Sequence, residues 1–255
     1  MHDVTWQMIL IVCPLIFLAG FVDSIAGGGG LISLPAYYLA GLPPSLAGGS
    51  NKLSAVMGTT VSTITYGGRG LINYRAGIAS VLGSVPGAVL GAYLLTVLPA
   101  YYIRVGVLLA LPVVAFIVLK NNDLSVRDAL IPRRYTLPAC FVIGFVIGTY
   151  DGLVGPGTGT FLILAYVMLM GEDALHASGT AKLVNLGSNV GALITLITTG
   201  HVLYALALPA AAFGIAGNMV GARLAIKKGA PFVRALLLVV LGLLLVTMLV
   251  DVISS

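Results

Sequence analysis

Only 8% of this 255-residue chain is charged, so the side chains able to do chemistry are few and easy to locate. Asp23 and Asp151 each stand in an apolar segment, and each is followed by a glycine-rich stretch: Gly27-Gly28-Gly29-Gly30 and Gly155-Pro156-Gly157-Thr158-Gly159. A carboxylate in such surroundings marks an ion pathway or proton relay, or else serves as a helix cap or packing partner. Consecutive glycines cannot form a stable helix interior, at about 1 kcal/mol each relative to Ala. Unwound backbone survives in lipid only when buried in protein or facing a polar cavity. Each glycine stretch opens a short helix whose free N–H groups suit an anion, the alternative being a tight turn for close packing. Lys52 sits among Ser50, Asn51 and Ser54, and Lys182 among Thr180, Asn185, Ser188 and Asn189. The two lysines read as anion-binding cations, or as snorkelling side chains.

Other chemistries find no support. No Gly-Lys-Ser/Thr follows either glycine stretch, so ATP hydrolysis is not expected. No protease arrangement occurs, His176 and His201 lack metal-site spacing, and neither a metal nor another cofactor is implied. Cys13 and Cys140 lie alone in apolar segments and read as small buried hydrophobes. The basic residues are too dispersed for a nucleic-acid footprint.

The elements that position these residues follow from composition. With 59% hydrophobic residues and a mean hydropathy of +1.08, the chain cannot cover a water-exposed surface. Its long charge-free runs reach the length of about 20 residues needed to cross a bilayer, and they lack the alternation of barrel strands. The fold class is an all-α polytopic membrane protein. Val4–Phe21 reads as a first membrane helix, since no basic segment precedes it and Asp23 follows it.

The chain also repeats itself. Gly20-Phe21-Val22-Asp23 matches Gly148-Thr149-Tyr150-Asp151, and Gly49-Ser50-Asn51-Lys52-Leu53 matches Gly179-Thr180-Ala181-Lys182-Leu183. Gly70 and Tyr74 match Gly200 and Tyr204, Gly87 and Gly91 match Gly217 and Gly221, and Arg104 matches Arg234. Residues 1–120 and 135–255 are therefore read as two repeats joined by a polar cytoplasmic linker over 121–134. Five helical pieces are predicted in each: 5–25, 31–41, 50–66, 75–96 and 103–120, then 135–150, 159–170, 180–198, 203–222 and 233–250. About eight to ten of these pieces cross the membrane. Counting the short second piece as a crossing puts Arg69, Arg75, Lys120, Arg127, Arg133, Arg134, Lys182, Arg223, Lys227, Lys228 and Arg234 on one side. Lys52 and Arg104 fall on the other, a split that makes the rich side cytoplasmic. Five crossings per repeat invert the second repeat against the first and put both termini outside the cell. Inverted repeats around one site are the architecture of a secondary transporter.

These motifs strongly resemble the TauE/SafE family of sulfite and organosulfonate exporters, in particular its YfcA-like branch of membrane transporters. The resemblance rests on Phe21 through Leu31, Asn51-Lys52-Leu53, Tyr150-Asp151-Gly152 through Gly155-Pro156, and Ala181-Lys182-Leu183 with Asn185, Ser188 and Asn189. It implies a plasma-membrane carrier of small sulfur-containing oxyanions such as sulfite or sulfonates. The expected substrate site comprises Gly27–Gly30, Ser50, Asn51, Lys52, Gly155, Gly157, Thr158, Gly159, Thr180, Lys182, Asn185, Ser188 and Asn189. Both glycine breaks should face each other near the bilayer midplane. Asp23 and Asp151 are the expected proton-coupling groups, because burial and a negative neighbour both disfavour a carboxylate's charge. Their structural alternative is to accept hydrogen bonds from the glycine-loop N–H groups. The partners are then the lipid bilayer, a small anionic substrate and a proton, with the oligomeric state open. An anion channel, or a membrane scaffold for a sulfur-metabolising partner, are the other readings.

Overall fold

A computed structural model of the chain describes residues 4–98 and 129–253. The predicted helix over 103–120, the residues Arg104, Lys120 and Arg127, and the first part of the linker lie outside them. Among the described residues the elements are helical, with no strand. In chain order they are α1 (Trp6–Ala26), α2 (Gly30–Leu39), α3 (Pro44–Gly67), α4 (Tyr74–Val97), α5 (Thr136–Leu153), α6 (Thr158–Met170), α7 (Ala174–Thr198), α8 (Tyr204–Lys228) and α9 (Ala230–Ile253). Helices α1, α4, α7 and α8, and α5 with the turn before it, are long and apolar enough to cross a membrane. At 1.5 Å per residue, α2 and α6 reach only about 15 and about 20 Å and cannot span a bilayer core alone.

Local chemistry sets most helix starts. Thr5 accepts a hydrogen bond from the Met8 N–H, Asn73 from the Ala76 N–H, and Asp173 from those of Leu175 and His176. Pro44 occupies the first turn of α3. Helices α3 and α7 start six residues before their predicted positions, 50 and 180. The helix runs on through Gly48-Gly49 and Gly179 because those glycines are used for packing. A Cβ on Gly49 would strike the His201 carbonyl oxygen, and one on Gly179 that of Leu71.

Apolar side chains such as Ile25, Leu162 and Leu196 fill much of the interior, but the outer surface is apolar as well. Large apolar side chains such as Trp6, Leu10, Ile64, Leu82, Val146 and Leu208 point outward. Lys52, Lys182, Asp151, Asn185, Asn189 and Asn218 are buried inside. That distribution suits lipid outside and polar contacts within. Lys52 and Lys182 are thus interior groups and leave the count of loop charges on which the expected topology rests.

Backbone-to-backbone packing holds the long helices together. Gly83, Gly87 and Gly91 of α4 lie against the carbonyls of Phe141, Phe145 and Thr149 on α5. In return, Gly144, Gly148 and Gly152 of α5 lie against those of Ser80, Ser84 and Ala88. Helices α1 and α8 repeat the pattern, with Gly20 against the Gly214 carbonyl and Gly217 and Gly221 against those of Phe17 and Phe21. Small residues permit such approach where no hydrophobic effect drives association. Replacing Gly87 by Leu should therefore cost about 1–3 kcal/mol and lower the thermal unfolding midpoint in detergent. Among the described residues nothing lies within 4 Å of a Cβ on Gly242, so Gly242→Ala should not lower that midpoint.

Candidate functional site

The first glycine break begins where α1 stops. Gly27 takes φ +79°, a left-handed conformation that side chains avoid. The last α1 carbonyls do not dangle: those of Ser24, Ile25 and Ala26 accept hydrogen bonds from Tyr66 Oη (2.9 Å), Ser178 Oγ (2.9 Å) and Thr160 Oγ1 (2.7 Å). Helices α3, α7 and α6 thereby cap one helix end together. At the second break Tyr150 Oη donates to the Pro156 carbonyl and Thr158 Oγ1 to that of Gly155, both at 2.7 Å. The two breaks touch. A Cβ on Gly27 would collide with the Gly159 carbonyl carbon and the Thr160 nitrogen, and Gly30 lies against Pro156.

Beside this contact is a cavity of about 60 Å³. It has room for a few waters or one ion of a handful of heavy atoms. The first break lines it with Gly27, Gly29 and Gly30, and the second with Gly155, Thr158 and Gly159. Asn51 and Lys52 reach it from α3, Asn185 and Asn189 from α7, and Asp23 and Asp151 from the ends of α1 and α5.

The charges of the wall are paired across the halves. Lys52 Nζ is 2.8 Å from Asp151 Oδ2, and Lys182 Nζ is 2.7 Å from Asp23 Oδ2. Lys52 Nζ also donates to Asn189 Oδ1 at 2.9 Å, while Asn189 Nδ2 donates to Asn185 Oδ1 at 2.9 Å. Ser188 Oγ donates to Asp151 Oδ2 at 2.7 Å. The Gly29 N–H donates to Asp23 Oδ1 at 3.4 Å, the loop-bracing contact named above as the structural alternative. Each lysine spends its charge on an aspartate, so neither is a free cation.

Several expected site residues lie outside the cavity wall. Gly28 packs on Val240, and Gly157 turns the second break with φ +81°. Lys182 is fully buried behind Asp23, and Ser188 sits behind Asp151. Ser50 and Thr180 instead lock loops: Ser50 Oγ accepts from the Leu203 N–H at 3.0 Å, and Thr180 Oγ1 from the Asn73 N–H at 3.1 Å. Thr180 also donates to Glu172, and Asn73 Nδ2 does the same. Burial raises the Glu172 carboxyl above its usual range despite those donors.

The wall also contains residues that sequence reasoning missed, among them Ser33, Thr59 and Asn218. Asn218 Nδ2 donates to the Gly214 carbonyl at 3.0 Å, and its Oδ1 is buried with no hydrogen-bond partner among the described residues. An amide inside the apolar run of α8 was the available signal. Among the described residues no group of three metal-ligating side chains assembles.

An apolar-surfaced helical bundle enclosing a small polar cavity with paired intramembrane charges defines a multi-pass membrane transporter. The family model "Sulfite exporter TauE/SafE" matches residues 12–248, and the chain belongs to that family. It is 37% identical over 254 residues to "Probable membrane transporter protein ORF9" of Sinorhizobium sp, covering 98% of this chain and 96% of that protein. It is 32% identical to "Probable membrane transporter protein YfcA" of Escherichia coli strain K12, covering 97% and 94% respectively. A "Probable membrane transporter protein" of Haemophilus influenzae is 28% identical, with 98% of this chain and 97% of that protein covered.

The crossed pairing has a measurable energetic signature. Lys182→Met leaves the Asp23 carboxylate without its cation and should cost about 3–5 kcal/mol, because breaking a buried pair strands a charge. Adding Asp23→Asn should recover most of that loss in the unfolding midpoint. Equal midpoints for the single and double variants would show that the two side chains do not stabilise each other.

Proposed function

We propose that the chain is a secondary carrier of the plasma membrane that moves a small sulfur-containing oxyanion, of the sulfite or organosulfonate class, linked to a proton gradient. The observation that carries this reading is the polar cavity between the two glycine breaks, where amide, hydroxyl and ammonium donors converge. Two short helices, α2 and α6, begin at its edge, with Gly30 and Thr158 in its wall, and a helix N-terminus favours an anion. An enzymatic role is not part of this reading.

Alternating access requires two halves that can exchange conformations. The contacts support such an exchange, because each recurs with the halves swapped. Lys52 with Asp151 mirrors Lys182 with Asp23, and Ser50 with Leu203 mirrors Thr180 with Asn73. Gly49 against His201 mirrors Gly179 against Leu71. A pseudo-twofold relation between repeats 1–120 and 135–255 produces this pattern, and inversion in the membrane follows from the charge count. In this arrangement the 121–134 linker is cytoplasmic and both termini are extracytoplasmic. Asp23 and Asp151 are the candidate coupling groups, and the breaks lie near the midplane.

Uptake by proteoliposomes of sulfite, sulfate, thiosulfate, taurine and sulfoacetate tests the reading, with and without a pH gradient. Saturable flux of at least one sulfur oxyanion, accelerated by the gradient, is expected. Unsaturated high conductance means a channel, and no flux from the purified chain alone favours a scaffold. A reporter active only in the cytoplasm, fused after Ser255, should be silent. Strong activity there would replace inverted repeats with parallel ones.

A further inference from the structure

The two crossed ion pairs differ in what they show the cavity. Lys52 and Asp151 are both part of its wall. Of the other pair only Asp23 is, and Lys182 is fully buried behind it. The wall therefore presents one ammonium and two carboxylates, and Lys182 brings the local sum to zero. No positive charge is left over for an incoming anion. Asp23 is also held at both oxygens, by Lys182 at Oδ2 and by the Gly29 N–H at Oδ1, which ties it to the shape of the first break. The hydrogen bonds that hold Asp151, from Lys52 and Ser188, both fall on Oδ2.

We infer that Asp151 is a resident counter-anion on Lys52, which the substrate replaces when Asp151 takes up a proton. This rests on the anion-carrier reading and narrows it: Asp151 is the proton acceptor, and Asp23 is a positioning residue. In the step, a solvent proton adds to a carboxylate oxygen of Asp151 and one O–H bond forms. The ion pair opens, and an oxygen of a monoanionic oxyanion accepts the freed N–H of Lys52. One proton and one negative charge enter together, so the charge of the site is unchanged. Asn189 keeps its hydrogen bond to Lys52 Nζ, so the ammonium stays in place during the exchange. Ser188 stays beside the protonated acid.

The groups facing Asp151 are few. Helix α3 supplies Lys52, α7 supplies Ser188 and Asn185, and Tyr150 is its neighbour on α5. Asp23 lies on the same cavity wall, backed by Lys182. The α4 face packed on α5 offers Ser80, Ser84, Ala88 and glycines, with no charge. Thus Lys52 is the one cation in contact with Asp151 among the described residues.

The test uses the full chain in proteoliposomes with methanesulfonate, a monoanion throughout the accessible pH range, so any pH response belongs to the protein. Wild type should show both exchange and acceleration by an acid-outside gradient. Asp151→Asn, assayed on its folded fraction, should lose the gradient response while still exchanging methanesulfonate at a measurable rate. Asp23→Asn, assayed on its folded fraction, should keep the gradient response, and Lys52→Gln should lose exchange as well. A second measurement needs no variant: adding methanesulfonate to wild type in weakly buffered detergent should take up about one proton per anion bound. Gradient-driven uptake by Asp151→Asn, loss of the response in Asp23→Asn alone, or binding without proton uptake would each overturn the assignment. Wild type that moves no anion at any pH overturns the carrier reading itself, and this assignment with it.

Discussion

A charge in an apolar interior must be neutralised where it stands, and the architecture of this chain follows from that requirement. Two lysines and two aspartates lie inside a bundle whose outer surface is apolar. Each half has one of each, yet the pairs form between halves and not within them. The crossed ion pairs fix how α3 and α7 approach the ends of α1 and α5. They also set where the glycine breaks can meet. Desolvating such pairs is expensive, so they add little net stability compared with apolar packing. Their contribution is to specify one arrangement of the halves.

Glycine makes that arrangement sterically attainable. The breaks can touch because Gly27 and Gly159 have no side chains to separate their backbones. The α4–α5 and α1–α8 contacts rely on the same freedom along whole helix faces. Hydroxyl side chains complete the scheme by satisfying backbone carbonyls that the breaks expose, as Tyr66, Ser178 and Thr160 do at the end of α1. Some hydroxyls inside α3 bond back to their own helix, as Thr60 and Thr65 do to the Val56 and Val61 carbonyls.

The sequence pattern made the elements and the interior charges legible, but not their pairing. Hydropathy located the helices, and the glycine stretches located the breaks, because both signals are local. Repetition singled out Asp23, Asp151, Lys52 and Lys182. Which lysine meets which aspartate depends on how distant segments pack, and no local spacing encodes it. The same limit explains Ser50 and Thr180, whose hydroxyls look like site groups in sequence but are drawn off to the N–H groups of distant loops. The early start of α3 was hidden for a related reason: glycines that suggest a helix boundary were there for a neighbouring backbone. Asn218 escaped notice because the first repeat has Ala88 at the matching position, so comparison between repeats gave it no echo.

The crossing of the ion pairs also bears on how the protein is made. Asp23 waits for a cation 159 residues further along the chain, and Lys52 for a carboxylate on α5. While ribosomes are still synthesising the second half, the first already lies at the translocon with both charges lacking their final partners. Its helices cannot leave for lipid as a finished unit, since each unpaired charge at depth would cost several kcal/mol. Insertion of α7 closes the last pair. A truncated chain ending before α7 therefore keeps an aspartate without its cation, a defect that distinguishes an incomplete molecule from a complete one.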